Sequence, residues 1–149
     1  MTTKTPTIVA RCVRNSLHSI DSDDVRTRLG QAIHRDGPNT DLVIDREYKV
    51  QAIEQRDGGL WLFIHSVPSS KFPYPYPSEF FEIASALIPD GWVAQFRTSS
   101  LGTVLKRLSF PEWATDDTFY EKLVDEDSRA IEAYKLNCFS ESGTDWVSC

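Results

Sequence analysis

Histidine is the side chain most suited to acid–base chemistry near neutral pH, and the chain contains three. They are His18, His34 and His65. The first two fall on the polar sides of predicted helices, whereas His65 lies in an apolar segment on the same face as Trp61 and Phe63. We interpret His65 as a histidine at a sheet edge whose hydrogen-bonding groups are satisfied. The alternative is an enzyme with a dispersed site, in which His65 acts with an acid or with Arg97.

Spacings typical of catalytic, metal or cofactor sites do not occur in the sequence. The three cysteines have no metal-ligand spacing and favour reduced thiols; they are Cys12, Cys138 and Cys149. The acidic run at 125–127 lacks the alternating ligands and the glycine of a calcium loop. The turn glycines Gly58, Gly59 and Gly91 belong to no phosphate-binding motif. We therefore predict no catalytic residue, no metal and no cofactor.

Acidic residues are concentrated towards the end of the sequence. The formal net charge is −6 and the pI about 5.0, which disfavours nucleic-acid binding. Residues 112–141 hold nine acids and three bases, so their net charge of −6 equals that of the whole chain. Such a segment suits a basic protein partner. The residues predicted to steer that partner are Asp116, Asp117, Asp125, Glu126 and Asp127. The alternative is a solvated helical face.

A proline-rich segment carries the second candidate binding feature. Residues 68–78 contain four prolines in eleven positions, which excludes a helix and the interior of a sheet and predicts an extended loop. Its aromatic side chains are open to two interpretations. If the loop is exposed, Tyr74 and Tyr76 are expected to anchor a partner protein. If it folds back, the rings complete the core.

Apolar spacing predicts helices near both ends of the chain. Steps of three and four residues favour a helix over 8–20, where a strand is also compatible with the start, and a helix over 23–35 that ends at Gly37. Two short helices are predicted within 115–138, with Asp125 or Asp127 beginning the second.

Near-alternation of apolar residues predicts strands in the middle of the chain. These strands cover residues 42–53, 60–67, 92–98 and 103–110. Asp and Gly residues at 56–59 predict a hairpin turn between the first two. Residues 79–87 are compatible with a helix or a strand, and we favour a strand at 80–84.

Together these elements predict an α+β fold with N-terminal helices, a central antiparallel sheet of four to five strands and two short C-terminal helices. Residues 1–149 are expected to form a single globular domain, with a flexible tail at 1–7 and an irregular C-terminal tail at 140–149. There is no signal-peptide pattern and no apolar run near the ~20 residues of a membrane span. We therefore expect a cytoplasmic protein that does not enter a membrane, and the sequence leaves its oligomeric state open.

Four short segments resemble a pattern seen in uncharacterised small bacterial proteins. They are Glu47-Tyr48-Lys49-Val50, the Gly58-Gly59 turn before an aromatic strand, the Tyr-Pro repeat before Phe80-Phe81-Glu82-Ile83, and Phe119-Tyr120-Glu121-Lys122-Leu123-Val124-Asp125. As a small acidic domain without a catalytic motif, the chain is also similar to the immunity proteins of polymorphic toxin and contact-dependent growth inhibition systems. This resemblance implies a non-enzymatic protein that neutralises a cognate, basic toxin domain by direct binding, and it assigns no residues. The alternative is a small-ligand or peptide-binding module that uses the aromatic sheet face around Trp61 and Trp92.

Overall fold

The computed structural model describes residues 6–16, 42–56, 59–66, 71–100 and 102–138. The strands are β1 (Ile8–Cys12), β2 (Glu47–Lys49), β3 (Ala52–Arg56), β4 (Gly59–Ile64), β5 (Tyr74–Pro77), β6 (Phe81–Ala86), β7 (Val93–Ser99) and β8 (Gly102–Ser109). The helices are α1 (Pro111–Ala114), α2 (Phe119–Val124) and α3 (Ser128–Asn137), and a 3₁₀ turn at Ser78–Phe80 precedes β6. None of the helices in the described ranges is long and apolar enough to cross a membrane.

The strands form two antiparallel sheets, with orders β2-β1-β6 and β5-β4-β3-β8-β7. The predicted α+β class is confirmed, but the N-terminal helices are not. Ile8–Cys12 is a strand, because alternate side chains are buried while the residues between them are half-exposed. The predicted helix over 8–20 is therefore wrong at its start, and the helix over 23–35 lies outside the described residues.

The predicted strand at 42–53 is divided between the two sheets. The prediction is wrong for residues 42–46, which contain a turn and no strand. Residues 47–49 pair as β2 with β1, and the last residues begin β3. Val50 donates its N–H to Ile8 of one sheet, and Gln51 donates to Phe63 of the other, both at 2.9 Å. The hairpin predicted around 56–59 is confirmed by the pairing of β3 with β4, although residues 57–58 lie outside the described ranges.

Within the predicted loop at 68–78, residues Tyr74–Pro77, which we call the Tyr-Pro segment, form β5, an edge strand of the larger sheet. β5 pairs only with β4 within that sheet, and an edge is where prolines, which lack an N–H, are tolerated. The Tyr76 ring is buried and its hydroxyl lies 2.8 Å from Ser66 Oγ. Tyr74 is half-buried against the same core. The interpretation that these rings complete the core is confirmed, as is the strand favoured within 79–87.

The five-stranded sheet separates two apolar layers. One layer lies between the sheets and includes Tyr48, Leu62 and Phe80. The other lies between the larger sheet and the helices and is rich in aromatic rings, namely Phe63, Phe110, Trp113, Phe119 and Tyr134. This second layer holds the C-terminal helices, and with them eight of the 22 acidic residues, against the sheet.

The C-terminal helices number three in the described part of the chain, one more than predicted. The additional helix, α1, begins with Pro111, whose fixed φ suits the first helical position. Cys12 is a free, buried thiol as expected.

Candidate functional site

The exposed carboxylates of α1–α3 and their connecting turns form a surface that we call the acidic helical surface. Four of them make no ion pair within the described chain; they are Glu112, Glu121, Asp125 and Glu132. Only Asp125 was among the residues that the sequence predicted to steer a partner. The other four predicted acids hold the protein's own structure together, in three different ways.

Asp116 closes the connection between α1 and α2. Its Oδ1 accepts hydrogen bonds from the Thr118 N–H at 2.9 Å and the Thr118 hydroxyl at 2.7 Å, and its Oδ2 pairs with Lys122 Nζ at 3.0 Å. The hydroxyl bond, then the N–H bond, then Lys122 lower the pKa of this carboxyl from its usual 3.8 to about 2. Its charge is therefore largely compensated within the chain.

We expect the bonds of Asp116 to Thr118 and Lys122 to be visible in how the stability of the protein changes with pH. Because the folded-state pKa of Asp116 is the lower one, its contribution to stability is present above pH 3.8 and is lost as the pH falls through about 2. A carbon-detected NMR titration of the carboxyl group should give a midpoint near 2. The Asp116→Asn variant should be less stable at neutral pH and should lose this part of the acid sensitivity. A midpoint near 3.8 would contradict the hydrogen bonds described.

Asp117 and Glu126 tie the helices to the strands and to the segment before β5. Asp117 Oδ1 lies 2.7 Å from Lys106 Nζ and 3.2 Å from Arg107 Nη1, and both bonds lower its pKa, Lys106 the more strongly. Glu126 Oε1 lies 2.9 Å from Lys71 Nζ, which lowers the pKa of that carboxyl. Both carboxylates are therefore already ion-paired within the chain, and a partner protein would have to compete with these bonds.

Asp127 is the N-cap of α3. Its side chain accepts hydrogen bonds from the N–H groups of Arg129 and Ala130, both at 3.0 Å. This satisfies two donors that the first helical turn would otherwise leave unpaired. The prediction that Asp125 or Asp127 begins this helix is thereby confirmed for Asp127.

Asp125 is the one predicted steering acid with no partner in the described chain. It is exposed at the C-terminal end of α2, where the helix dipole disfavours a negative charge. Its backbone N–H caps the helix by bonding to Glu121 and Leu123, but its carboxylate stabilises nothing that the structure shows. The signal that sequence reasoning missed for Glu112, Glu121 and Glu132 is their place on the helices, outside the cap and turn positions.

A buried ion pair lies beneath this surface, on the helix-facing side of the sheet. Arg107 Nε donates to Glu54 Oε2 at 3.1 Å, and Nη1 donates to the carbonyl oxygen of Ala114 at 3.2 Å. The two side chains are 6% and 18% exposed. Arg107 therefore joins β3, β8 and the end of α1, and we interpret it as a structural residue that positions the helices.

His65 is buried and hydrogen-bonded, as interpreted from the sequence. Its Nε2 lies 2.6 Å from the hydroxyl oxygen of Tyr134, which is also buried. The residue follows β4, a central strand, so its predicted place at a sheet edge is wrong. No cluster of three or more potential metal ligands occurs within the described residues.

A cavity of about 260 Å³ opens beside the Tyr-Pro segment, between residues 71–72 and helices α2 and α3. Its lining residues are Lys71, Phe72, Leu123, Glu126, Ile131, Tyr134 and Lys135. Of the two tryptophans that the sequence placed on a ligand-binding sheet face, Trp61 is only 1% exposed and Trp92 is half-buried. The cavity is a place where the described part of the structure could hold a small molecule.

The candidate site therefore combines the acidic helical surface, two exposed apolar residues on the same helices, Val124 and Leu136, and the cavity next to them. Comparison of the chain with models of known protein families, with curated proteins and with solved structures gives no match.

Proposed function

We propose that this chain is a non-enzymatic protein-binding domain, and more specifically an immunity protein that neutralises a basic toxin domain by covering it with the acidic helical surface. The observation that carries the proposal is the set of exposed carboxylates on and beside α1–α3 that pair with no cation among the described residues, in a chain of net charge −6. Complementary charge accelerates association and selects partners of opposite sign.

Asp125 provides the clearest argument against a purely structural explanation. A carboxylate at the C-terminal end of a helix costs a little stability, whereas a lysine there would add some. The same residue makes no compensating bond in the described chain. A role in attracting a cationic partner explains why the position carries this charge.

Apolar contacts that would hold the complex are available on the same helices. Leu136 of α3 is 78% exposed, and Val124 of α2 is 39% exposed. Burial of such side chains stabilises a complex once charge has brought the two proteins together. In our proposal these two residues replace Tyr76, which is buried, and Tyr74, which is half-buried, as the anchors.

The first experiment captures partners from the source organism with the full chain as bait and washes them at low and then at high salt. We expect one basic protein, retained at low salt and weakened at high salt. Purified partner and chain are then mixed, and association rates are measured by stopped flow at several salt concentrations. Inhibition of the partner's toxicity on co-expression distinguishes an immunity protein from other binding proteins.

A pair of charge-reversal variants tests the surface itself. The Asp125→Lys/Glu132→Lys variant removes two unpaired acids of the acidic helical surface, and its matched control is Glu47→Lys/Asp90→Lys. Glu47 and Asp90 are exposed acids outside α1–α3, and each double variant changes the net charge from −6 to −2. We expect association at low salt to slow at least tenfold for the first variant only, with a flatter salt dependence.

Equal slowing in both variants would show that overall charge acts rather than this surface. Unchanged kinetics in both would contradict the proposed binding site. Failure to capture any protein at either salt concentration would contradict the proposed function.

A further inference from the structure

We infer that the cavity beside the Tyr-Pro segment binds a small molecule consisting of a compact apolar body and one carboxylate. This inference goes beyond the proposed function and does not depend on it. The cavity walls are mainly apolar, formed by Phe72, Leu123 and Ile131 and by the ring of Tyr134. An apolar hollow with few charged groups is the usual composition of a small-molecule site.

The size of the cavity limits its ligand. Its volume of about 260 Å³ is just below the roughly 300–1,000 Å³ of pockets that take drug-sized molecules. A single aromatic ring or a short branched chain is therefore a suitable body. A nucleotide or an extended peptide is not.

The walls are held in place by contacts from outside the cavity. The Tyr134 hydroxyl is fixed by its 2.6 Å hydrogen bond to His65. The Phe72 ring packs edge-on against Tyr74 and Tyr120, with centroid separations of 5.3 and 6.2 Å. A cavity with fixed walls binds without first paying the entropy of ordering them. The Tyr-Pro segment thereby contributes to a binding site through its packing.

The charges around the cavity select the polar group of the ligand. Lys71 and Glu126 compensate each other through their 2.9 Å ion pair. Lys135 makes no ion pair within the described chain and is exposed. One cation that has no ionic partner among the described residues, next to apolar walls, matches one anionic group on an apolar body. A carboxylate fits because it accepts hydrogen bonds from an ammonium group and is small enough for the remaining space.

Three matched compounds test the inference on the full-length protein. They share one phenylpropyl body and differ in charge: 3-phenylpropanoate, its neutral amide and 3-phenylpropylamine. Binding is measured by NMR titration at constant ionic strength. We expect the carboxylate to bind and to shift the signals of α2 and α3, with the amide at least tenfold weaker and the amine weaker still.

Three variants assign that binding to the cavity. Lys135→Gln should reduce the affinity for the carboxylate to that for the amide, while leaving the amide unchanged. Ile131→Trp should fill the cavity and abolish binding of both. Lys122→Gln is the control, because Lys122 pairs with Asp116 and does not line the cavity, and it should bind like the unaltered protein. Circular dichroism confirms that each variant is folded.

The inference is overturned if none of the three compounds binds, if amide and carboxylate bind equally, or if Lys135→Gln has no effect. Binding that survives in folded Ile131→Trp would place the compounds elsewhere and would equally refute it. If no compound binds but Ile131→Trp loses the captured protein partner, the cavity receives a side chain of that partner instead. Because the measurements with the three compounds need no partner protein, their result is independent of the proposed function.

Discussion

Replacement of Arg107 by methionine is expected to lower the free energy of unfolding by about 3–5 kcal/mol, as breaking one side of a buried ion pair does. Methionine keeps most of the apolar stem but removes the guanidinium that lies 3.1 Å from the Glu54 carboxylate, which is only 18% exposed. The Ala114 carbonyl at the end of α1 also loses its donor. Urea denaturation followed by circular dichroism measures the change.

Two further variants separate this effect from a general loss of positive charge. Lys106 is the neighbouring cation and pairs with the exposed Asp117, so Lys106→Met should cost only about 0–1 kcal/mol. The double variant Arg107→Met/Glu54→Met removes both buried charges and should recover most of the loss. If Arg107→Met is no worse than Lys106→Met, the ion pair does not hold the helices to the sheet.

Truncation of Trp113 to alanine is expected to cost about 3–5 kcal/mol, the usual range for a large aromatic side chain in a core. Trp113 is 1% exposed and lies at the centre of the aromatic layer between sheet and helices. Its ring packs edge-on against Phe63 of β4 at 4.9 Å and stacks with Phe119 of α2 at 5.5 Å. Its loss therefore weakens the contact between the sheet and the acidic helical surface.

Urea denaturation measures the loss, and hydrogen exchange shows where it falls. We expect the amides of α2 and α3 to lose protection before those of β3 and β4. Phe96→Ala is the control, since Phe96 is also aromatic but 58% exposed, and its loss should stay within about 0.5 kcal/mol. If Trp113→Ala and Phe96→Ala lowered the free energy of unfolding equally, the aromatic layer would not be what holds the helices to the sheet.

The local sequence pattern was sufficient to predict those elements whose contacts are with residues nearby in the sequence. The hairpin of β3 and β4 followed from a Gly-containing turn between two apolar strands, and α3 from an acid that could cap it. The start of the chain was harder, because Ile8 to Val13 fit both periods, and only pairing with β2 and β6 decides for a strand. Short apolar segments are generally ambiguous in this way.

The candidate site was less predictable, because its contacts join distant parts of the chain. Lys71 and Glu126 are 55 residues apart, and Arg107 and Glu54 are 53 apart. Sequence alone marked the acids but could not tell those with internal partners from those without. The cavity depends on the same kind of contact, since the pairing of β5 with β4 places Phe72 beside α3. The spacing of residues along the chain does not indicate such long-range contacts.

The position of the Tyr-Pro strand also gives the two borders of the larger sheet different properties. At one border, Pro75 and Pro77 remove backbone donors that an incoming strand would need, so β5 is a poor template for further β-structure. At the other, β7 runs for seven residues without a proline and ends in exposed side chains from Phe96 to Ser99. Within the described sheet, β7 is therefore the border that keeps its backbone donors, whereas the β5 border lacks two of them.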